Sequence, residues 1–344
     1  MNSSIALFLI QDGFANGLLY SLLALSILLV FLVTRIFWIP AGEFVVFGAL
    51  TMGVLHKGNV NGVLGLVITL SLLVFLMGVF DFIKTKNSRN FYKNSLYCLL
   101  YSLGAFVFGY YFLPHFKSIW VYAVYTVYLI APLAPLLYLI VFKPILKKSV
   151  LMKLIVAVAL HMVLVGLGLY IFGAEGARVP ALISGREKIF SLSVSYQFLL
   201  ILSFSLLLMV FLWFFFEKTL WGKSLKATAL NQLGARLVAI HTEKVGLLAF
   251  ALAGFIGAMT GVLISSTTTV YYDSGFLIAL KGFIGVVAAG MTSFPIAVLS
   301  SIFIGIVDAF AAFYTSTLRD IIVFSVLIPI LFVRSVTHKE FDEE

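Results

Sequence analysis

Residues 14–34 read FANGLLYSLLALSILLVFLVT, a run without a single charged side chain. A helix of about 20 apolar residues is what the hydrocarbon core of a bilayer accommodates. Runs of that size recur at 62–83, 95–113, 119–142, 151–172, 196–216, 245–266 and 295–313. Three shorter runs, 43–56, 276–290 and 320–334, are bounded by Gly, Pro or charge. They read as tilted or re-entrant helices, which a membrane tolerates only where protein or a cavity surrounds them. A barrel would need segments of about 10 residues with alternating polarity, and the spacing leaves no room for them. The expected fold is therefore an all-α polytopic membrane protein with about 9–11 transmembrane or re-entrant helices, forming one domain over residues 1–344.

Composition agrees. Of 344 residues, 62% are apolar and 11% charged, Phe alone contributes 34, and the mean hydropathy is +1.14. Soluble domains carry about 25% charged residues, and a water-soluble surface would not hide this much apolar area. A net charge of +9 spread over hydrophobic runs also excludes a disordered chain or a nucleic-acid-binding protein. The single cysteine, Cys98, rules out an internal disulfide and a Cys-based metal cluster.

Orientation follows from Lys and Arg in the short loops. With eleven crossings, one side takes Arg35, the clusters at 84–93 and 143–153, the 217–244 loop, Arg334 and Lys339, sixteen basic residues in all. The other side takes six: Lys57, Lys117, Arg178, Arg186, Lys188 and Arg319. This bias places the C-terminus in the cytoplasm and the N-terminus outside. The first basic residue is Arg35, so the basic n-region of a cleaved signal peptide is missing and the first helix is expected to be retained.

Two loops stand out by length. Residues 173–195 lie on the outer side, with Gly, Pro and Ser suggesting an ordered but irregular surface. Residues 217–244 lie inside and include a helix-compatible stretch from Leu225 to Ile240. There Leu230, Leu233, Leu237 and Ile240 recur at three- and four-residue spacing, a single apolar stripe. The rest of that helix carries Lys226, Asn231, Gln232 and Arg236. Such a stripe needs cover, either from the protein's own surface, the lipid interface or a docked partner.

Enzyme chemistry is not evident. WGKS at Trp221–Ser224 resembles the end of a phosphate-binding loop, but the leading Gly position is Glu217 and no strand precedes it. His56, His115, His161, His241 and His338 are scattered, with no metal-ligand spacing. His161 alone is in mid-span, and reads as a satisfied core histidine ahead of a proton relay. Within the spans lie Glu43, Lys281 and Asp308. Ionisable groups are costly in hydrocarbon and face the bundle interior or a water-filled route, so these residues either line a substrate route or tether helices, for example as a Lys281–Asp308 pair. Small residues at helix-packing spacing, Gly13 with Gly17, Gly257 with Gly261 and Ser301 with Gly305, suggest close helix approach.

Longer strings carry a resemblance. Residues 15–50, ANGLLYSLLALSILLVFLVTRIFWIPAGEFVVFGAL, resemble the first helices of the inner-membrane permeases of branched-chain amino acid ABC importers, whose motif ending in Gly-Glu is matched by Gly42 and Glu43. FKPILKKSVLMKLIVAVALHMVLVGLGLYIFG (142–173) is similar to that family's basic cytoplasmic segment and following helix. GKSLKATALNQLGARLVAIHTEKVGLLAFALAGFIGAMTGVL (222–263) and GFLIALKGFIGVVAAGMTSFPIAVLSSIFIGIVDAFAAFYTSTLRDIIVF (275–324) resemble its coupling loop, its helix with an intramembrane Lys, a Gly-rich turn and an acidic helix. Lys281, Gly290, Pro295, Asp308 and Asp320 fall on those positions, and the similarity covers about 14–60 and 130–334.

The sequence departs from the family in three places. Ala41 replaces a polar residue, Asn231 and Gln232 stand where an acidic residue and a Pro are usual, and residues 76–130, with the basic loop KTKNSRNFYK, look like an insertion with extra helices. The resemblance implies a multi-pass permease subunit of the bacterial inner membrane that forms half of a translocation pathway and needs no cofactor or metal. Its implied partners are two ATPase subunits, a second permease (a paralogue or the same chain) and an extracytoplasmic substrate-binding protein. Within the 217–244 coupling loop it implies ATPase contact through Ala229, Gly234, Arg236 and Ile240, and it places Gly42, Glu43, Lys281 and Asp308 on the pathway. The rival reading is an ion-coupled secondary transporter or channel without an ATPase.

Overall fold

A computed structural model of the chain describes residues 3–59, 61–85, 96–189 and 192–337. Residues 86–93 of the basic loop and Lys339 lie outside the described residues. Among the described residues, nine helical stretches are long and apolar enough to cross a membrane, with two shorter apolar helices at Ala41–His56 and Gly275–Ala288. The polytopic all-α expectation holds, and the stretch read as short at 320–334 is part of a span over Ser316–Val333.

In chain order the helices are α1 (Ser3–Thr34), α2 (Ala41–His56), α3 (Asn61–Thr85), α4 (Tyr97–Val107), α5 (Ile119–Ile130), α6 (Leu133–Leu137) and α7 (Val150–Phe172). After a short hairpin come α8 (Tyr196–Lys218), α9 (Leu220–Leu230), α10 (Gln232–Leu237), α11 (Thr242–Ile264), α12 (Gly275–Ala288), α13 (Phe294–Tyr314), α14 (Arg319–Ser325) and α15 (Leu327–Thr337). The span after Ile119 is interrupted at Ala131–Pro132 and runs on through a π turn over Tyr138–Phe142. Proline lacks an N–H, and its ring clashes with the preceding turn. The loop read as irregular at 173–195 contains a two-stranded antiparallel hairpin, Arg186–Ile189 with Leu192–Ser195.

Two compact units divide the chain. The first comprises residues 1–42, 183–240 and 275–344. Its core is the seam between α1 and α13, where backbones approach without side chains between them. A methyl group placed on Gly305 would run into the backbone nitrogen and Cα of Gly17, and one on Gly13 would lie 2.6 Å from Ile306 Cα. α12 closes against both neighbours. A Cβ on Gly282 would meet Leu23 at 3.0 Å, and one on Gly285 would collide with Ser301 Oγ. Between apolar helices in lipid, hydrophobic exclusion is lost and dispersion contacts at short range drive association, which is why small residues sit at these crossings. Gly42 belongs to this logic too, since a Cβ there would overlap the Gly275 carbonyl oxygen.

The second unit comprises residues 43–182 and 241–274. Here α11 is the central element, buried at Ala249, Phe250, Ala253, Ile256, Ala258 and beyond. Gly261 meets the Val45 carbonyl and Gly48 of α2, and Gly254 meets the Ala131 carbonyl. The Tyr138 hydroxyl donates to the Glu243 carbonyl at 3.0 Å. By contrast α4 presents Tyr97, Leu100, Leu103 and Phe106 outward, the composition expected of a helix facing lipid.

Replacing Gly305 by Ala forces the α1–α13 backbones apart. Overpacking of this kind costs about 1–3 kcal/mol or more, whereas a methyl group on Gly166 would have nothing within 4 Å of it. Gly305→Ala is expected to lower the thermal midpoint of the detergent-solubilised protein clearly, and Gly166→Ala to leave it unchanged or slightly raised.

Candidate functional site

Asp308 lies in mid-helix on α13 with its side chain fully buried. An ionised carboxylate there needs donors from the protein, because hydrocarbon offers none. It has four. Tyr20 of α1 donates its hydroxyl to Oδ2 at 2.8 Å, and Lys281 of α12 donates to Oδ1 at 3.0 Å. The Arg319 guanidinium at the start of α14 clamps the carboxylate with both prongs, Nε to Oδ1 at 2.7 Å and Nη2 to Oδ2 at 2.5 Å. Such bidentate contacts combine charge with fixed geometry. Lys281 also reaches Asp320 at 3.0 Å and lies 5.8 Å from the centre of the Tyr20 ring. Two acids therefore face two bases, in a balanced network that runs from the fully buried Asp308 out to the half-exposed Asp320 and Arg319.

The expected tether between Lys281 and Asp308 is thus present, inside a larger cluster. Arg319, Asp320 and Tyr20 are partners that spacing does not foretell. Arg319 and Asp320 announce themselves in the sequence as adjacent charges opening an apolar stretch, but eleven residues and a helix break separate Arg319 from Asp308. Tyr20 carries no signal that distinguishes it from the other tyrosines.

The second unit holds a separate buried pair. Glu43, in the first turn of α2, is 1% exposed, and its Oε1 lies 2.8 Å from Nδ1 of His161 on α7. His161 is itself 5% exposed. The histidine is satisfied, as a core histidine should be, but its partner is the motif carboxylate. Glu43 Oε2 is buried without a hydrogen-bond partner among the described residues. Of the four residues expected on a pathway, Lys281 and Asp308 are in direct contact, Gly42 packs on Gly275, and Glu43 pairs with His161.

The expected single helix from Leu225 to Ile240 is broken. Asn231 takes an extended conformation (φ −151°, ψ 105°), ends α9 and caps α10, its Oδ1 accepting from the Gly234 N–H at 2.8 Å. Asn is a preferred N-cap because its side-chain oxygen replaces a missing intrahelical acceptor. α10 then closes with Ala239 at φ +62°, Ile240 N–H bonding the Ala235 carbonyl and Ala239 N–H the Arg236 carbonyl, the paired bonds of a Schellman ending. One face of the two short helices is seated, through buried Gly222, Leu225, Thr228 and Ala235. On the other, Leu230, Leu233 and Leu237 are 85%, 72% and 81% exposed, with Val238 beside them. Ile240, placed on the same stripe by spacing, is half-buried instead. Ala229 and Gly234 are half-buried and Arg236 is exposed. Among the described residues no group of three or more His, Cys, Asp or Glu is placed to hold a metal ion.

Residues 97–331 match the family model described as branched-chain amino acid transport system / permease component. The chain is 28% identical over 204 residues to the high-affinity branched-chain amino acid transport system permease protein LivH of Escherichia coli K12, covering 56% of this chain and 65% of that protein. The LivH protein of Salmonella typhimurium matches with the same identity and coverage. The corresponding protein BraD of Pseudomonas aeruginosa is 24% identical over 202 residues, 57% of this chain and 66% of its own length. The match thus spans just under two thirds of the relatives' length. No solved structure matches the chain.

The Glu43–His161 pair has a direct energetic test. Removing one partner of a buried hydrogen bond leaves the other unsatisfied at a cost of about 1–3 kcal/mol, more when it is charged, while replacing both by apolar residues is often nearly neutral. His161→Leu is expected to lower the thermal midpoint and membrane yield, and Glu43→Leu with His161→Leu together to recover most of the loss. Additive losses in the double variant would contradict the pairing.

Proposed function

The chain belongs to the permease-component family of branched-chain amino acid transport systems, and we propose that it forms half of the translocation pathway of an ATP-binding cassette importer. The substrates assigned are branched-chain amino acids or related small amino acids and amides. Its partners in this reading are two ATPase subunits, a second permease and an extracytoplasmic binding protein that delivers substrate. ATP hydrolysis belongs to the ATPase subunits, and the chain itself is a transport subunit. The inner membrane of a bacterium is its place, with the 217–244 segment on the cytoplasmic side in keeping with the sixteen-to-six basic bias.

The observation that carries the reading is the exposed apolar face of α9 and α10. Leu230, Leu233, Leu237 and Val238 stand out from helices whose opposite face is already seated. An apolar cluster of this kind at the end of membrane helices matches helix-in-groove recognition by a partner. Gly234 permits close docking, and the exposed Arg236 is suited to an acidic groove. ATPase closure then rocks the attached helices, a rigid-body transition of the hinge-and-shear kind. The Asp308 network and the α1–α13 seam support this by making the first unit stiff. Of the buried residues, Glu43 is assigned to the substrate route because one carboxylate oxygen is unpartnered among the described residues, and Gly42, Lys281 and Asp308 to bracing the helices of the first unit.

Leu233→Glu combined with Leu237→Glu is expected to abolish co-purification with a candidate ATPase subunit, while leaving the amount of permease in the membrane unchanged. Both leucines are exposed, so the substitutions do not disturb the core. Undiminished association would overturn the docking assignment. Uptake that survives ATP depletion and is abolished by an ionophore would establish the ion-coupled alternative.

A further inference from the structure

The end of α1 and the end of α9 cap one another. The last four carbonyls of any helix lack an intrahelical donor and need one from elsewhere. In α1 the Phe31 carbonyl takes the Arg35 N–H at 2.8 Å, with Arg35 itself in the left-handed region at φ +55°. The Val33 carbonyl takes Nε2 of Gln232, the first residue of α10, at 2.7 Å. In α9 the Ala227 carbonyl takes the Asn231 N–H, and the Ala229 carbonyl takes Nη2 of Arg35 at 3.5 Å. Each helix therefore receives a side-chain donor from the residue or two following the other. The pairs lie 199 and 194 residues apart in sequence.

We propose that this reciprocal capping, Gln232 on Val33 and Arg35 on Ala229, is the joint through which movement of the coupling segment enters the membrane helices, and that Gln232 is its main positioning residue. The proposal rests on the importer reading above. Besides the face seated through Leu225, Thr228 and Ala235, two links join the α9–α10 segment to the longer helices of the first unit. One is the covalent elbow at Thr219, whose Oγ1 accepts from the Gly222 N–H and donates to the Phe215 carbonyl. It leads to α8, a helix buried along less than a quarter of its apolar window. The other is the capping joint, which leads to α1, buried along nearly nine tenths of it. α1 carries the glycine seam with α13 and the Tyr20 bond to Asp308. A displacement delivered to α1 thus reaches α12 and α13 through the glycine crossings, and α14 through Tyr20, Asp308 and Arg319. α8, by contrast, is exposed along most of its apolar window, and its ring contacts to the seam are Phe198 with Phe14 of α1 and Phe216 with Phe294 of α13.

The identity of residue 232 fits this role. Gln donates through its amide, and a carboxylate at the same place has no proton to give a carbonyl. Gln232 is half-buried with its amide on the Val33 carbonyl, whereas Leu230, Leu233 and Leu237 are exposed.

The test uses the full complex of this chain, its ATPase subunits and its second permease in liposomes, with radiolabelled leucine and the binding protein on the outer face. Gln232→Met keeps the length and removes the donor, and Gln232→Lys restores a donor. Gln232→Met is expected to leave ATPase association unchanged and ATP hydrolysis within about twofold, while leucine taken up per ATP falls about tenfold, in the ordinary range for a coupling interaction. Gln232→Lys is expected to recover most of that ratio. Arg35→Met provides a second arm with a smaller loss, as its bond is longer, and carries the readout if Gln232→Met accumulates poorly. Hydrolysis and uptake falling in proportion, or an unchanged ratio in both variants, would overturn the joint while leaving the importer reading intact. A wild-type complex that hydrolyses ATP without taking up leucine, isoleucine or valine would overturn the importer reading and the joint with it.

Discussion

A carboxylate with no access to water organises the first unit. Asp308 is fully buried, and the desolvation of such a group is repaid only by fixed charges and donors around it. Those donors come from three other helices: Tyr20 of α1, Lys281 of α12 and Arg319 of α14. Side chains of this length meet at one point only if the backbones that carry them are close. Gly17 against Gly305, Gly282 against α1 and Gly285 against Ser301 provide that closeness. The charges and the glycines are thus one device. Remove a glycine and the helices separate beyond the reach of the ion network; remove Asp308 and two cations lose the acid they share.

The second unit repeats the principle with different chemistry. Glu43 and His161 share a single bond between α2 and α7, and α2 lies on α11 through Gly48 and Gly261. Here a carboxylate meets a histidine, and one carboxylate oxygen remains without a hydrogen-bond partner among the described residues. The contrast bears on function. In the proposed reading the saturated network of Asp308 is a fixed brace, whereas the incompletely satisfied Glu43 carboxylate has capacity left for a further interaction.

At the other end of α1 the requirement is backbone satisfaction. Carbonyls that finish a helix must find donors, and here two helices distant in sequence supply each other's. The break at Asn231 makes this possible. A continuous helix from Leu225 to Ile240 would carry Gln232 around on the same spiral as Leu230 and Leu233. By ending α9 and restarting as α10, the chain turns Gln232 toward the end of α1 and leaves the three leucines outward.

The sequence alone determined that this is a membrane protein, to within two how many apolar helices of transmembrane or re-entrant kind the described residues form, and which few residues bear charge where charge is costly. Those features follow from local composition, because the thickness of the hydrocarbon core imposes a length and a polarity on each segment independently of its neighbours. The tether between Lys281 and Asp308 was legible for the same reason, since two opposite charges confined to apolar helices have few other partners. Even the small-residue pairs Gly13 with Gly17 on α1 and Ser301 with Gly305 on α13 were visible as spacing, although spacing does not say which helix faces which. What tertiary structure decided is the identity of partners. That Arg319 clamps Asp308, that Glu43 meets His161, and that Gln232 caps a helix some two hundred residues away depend on backbones being brought within hydrogen-bonding distance. Such distances are set by packing between helices, and no periodicity within one helix records them.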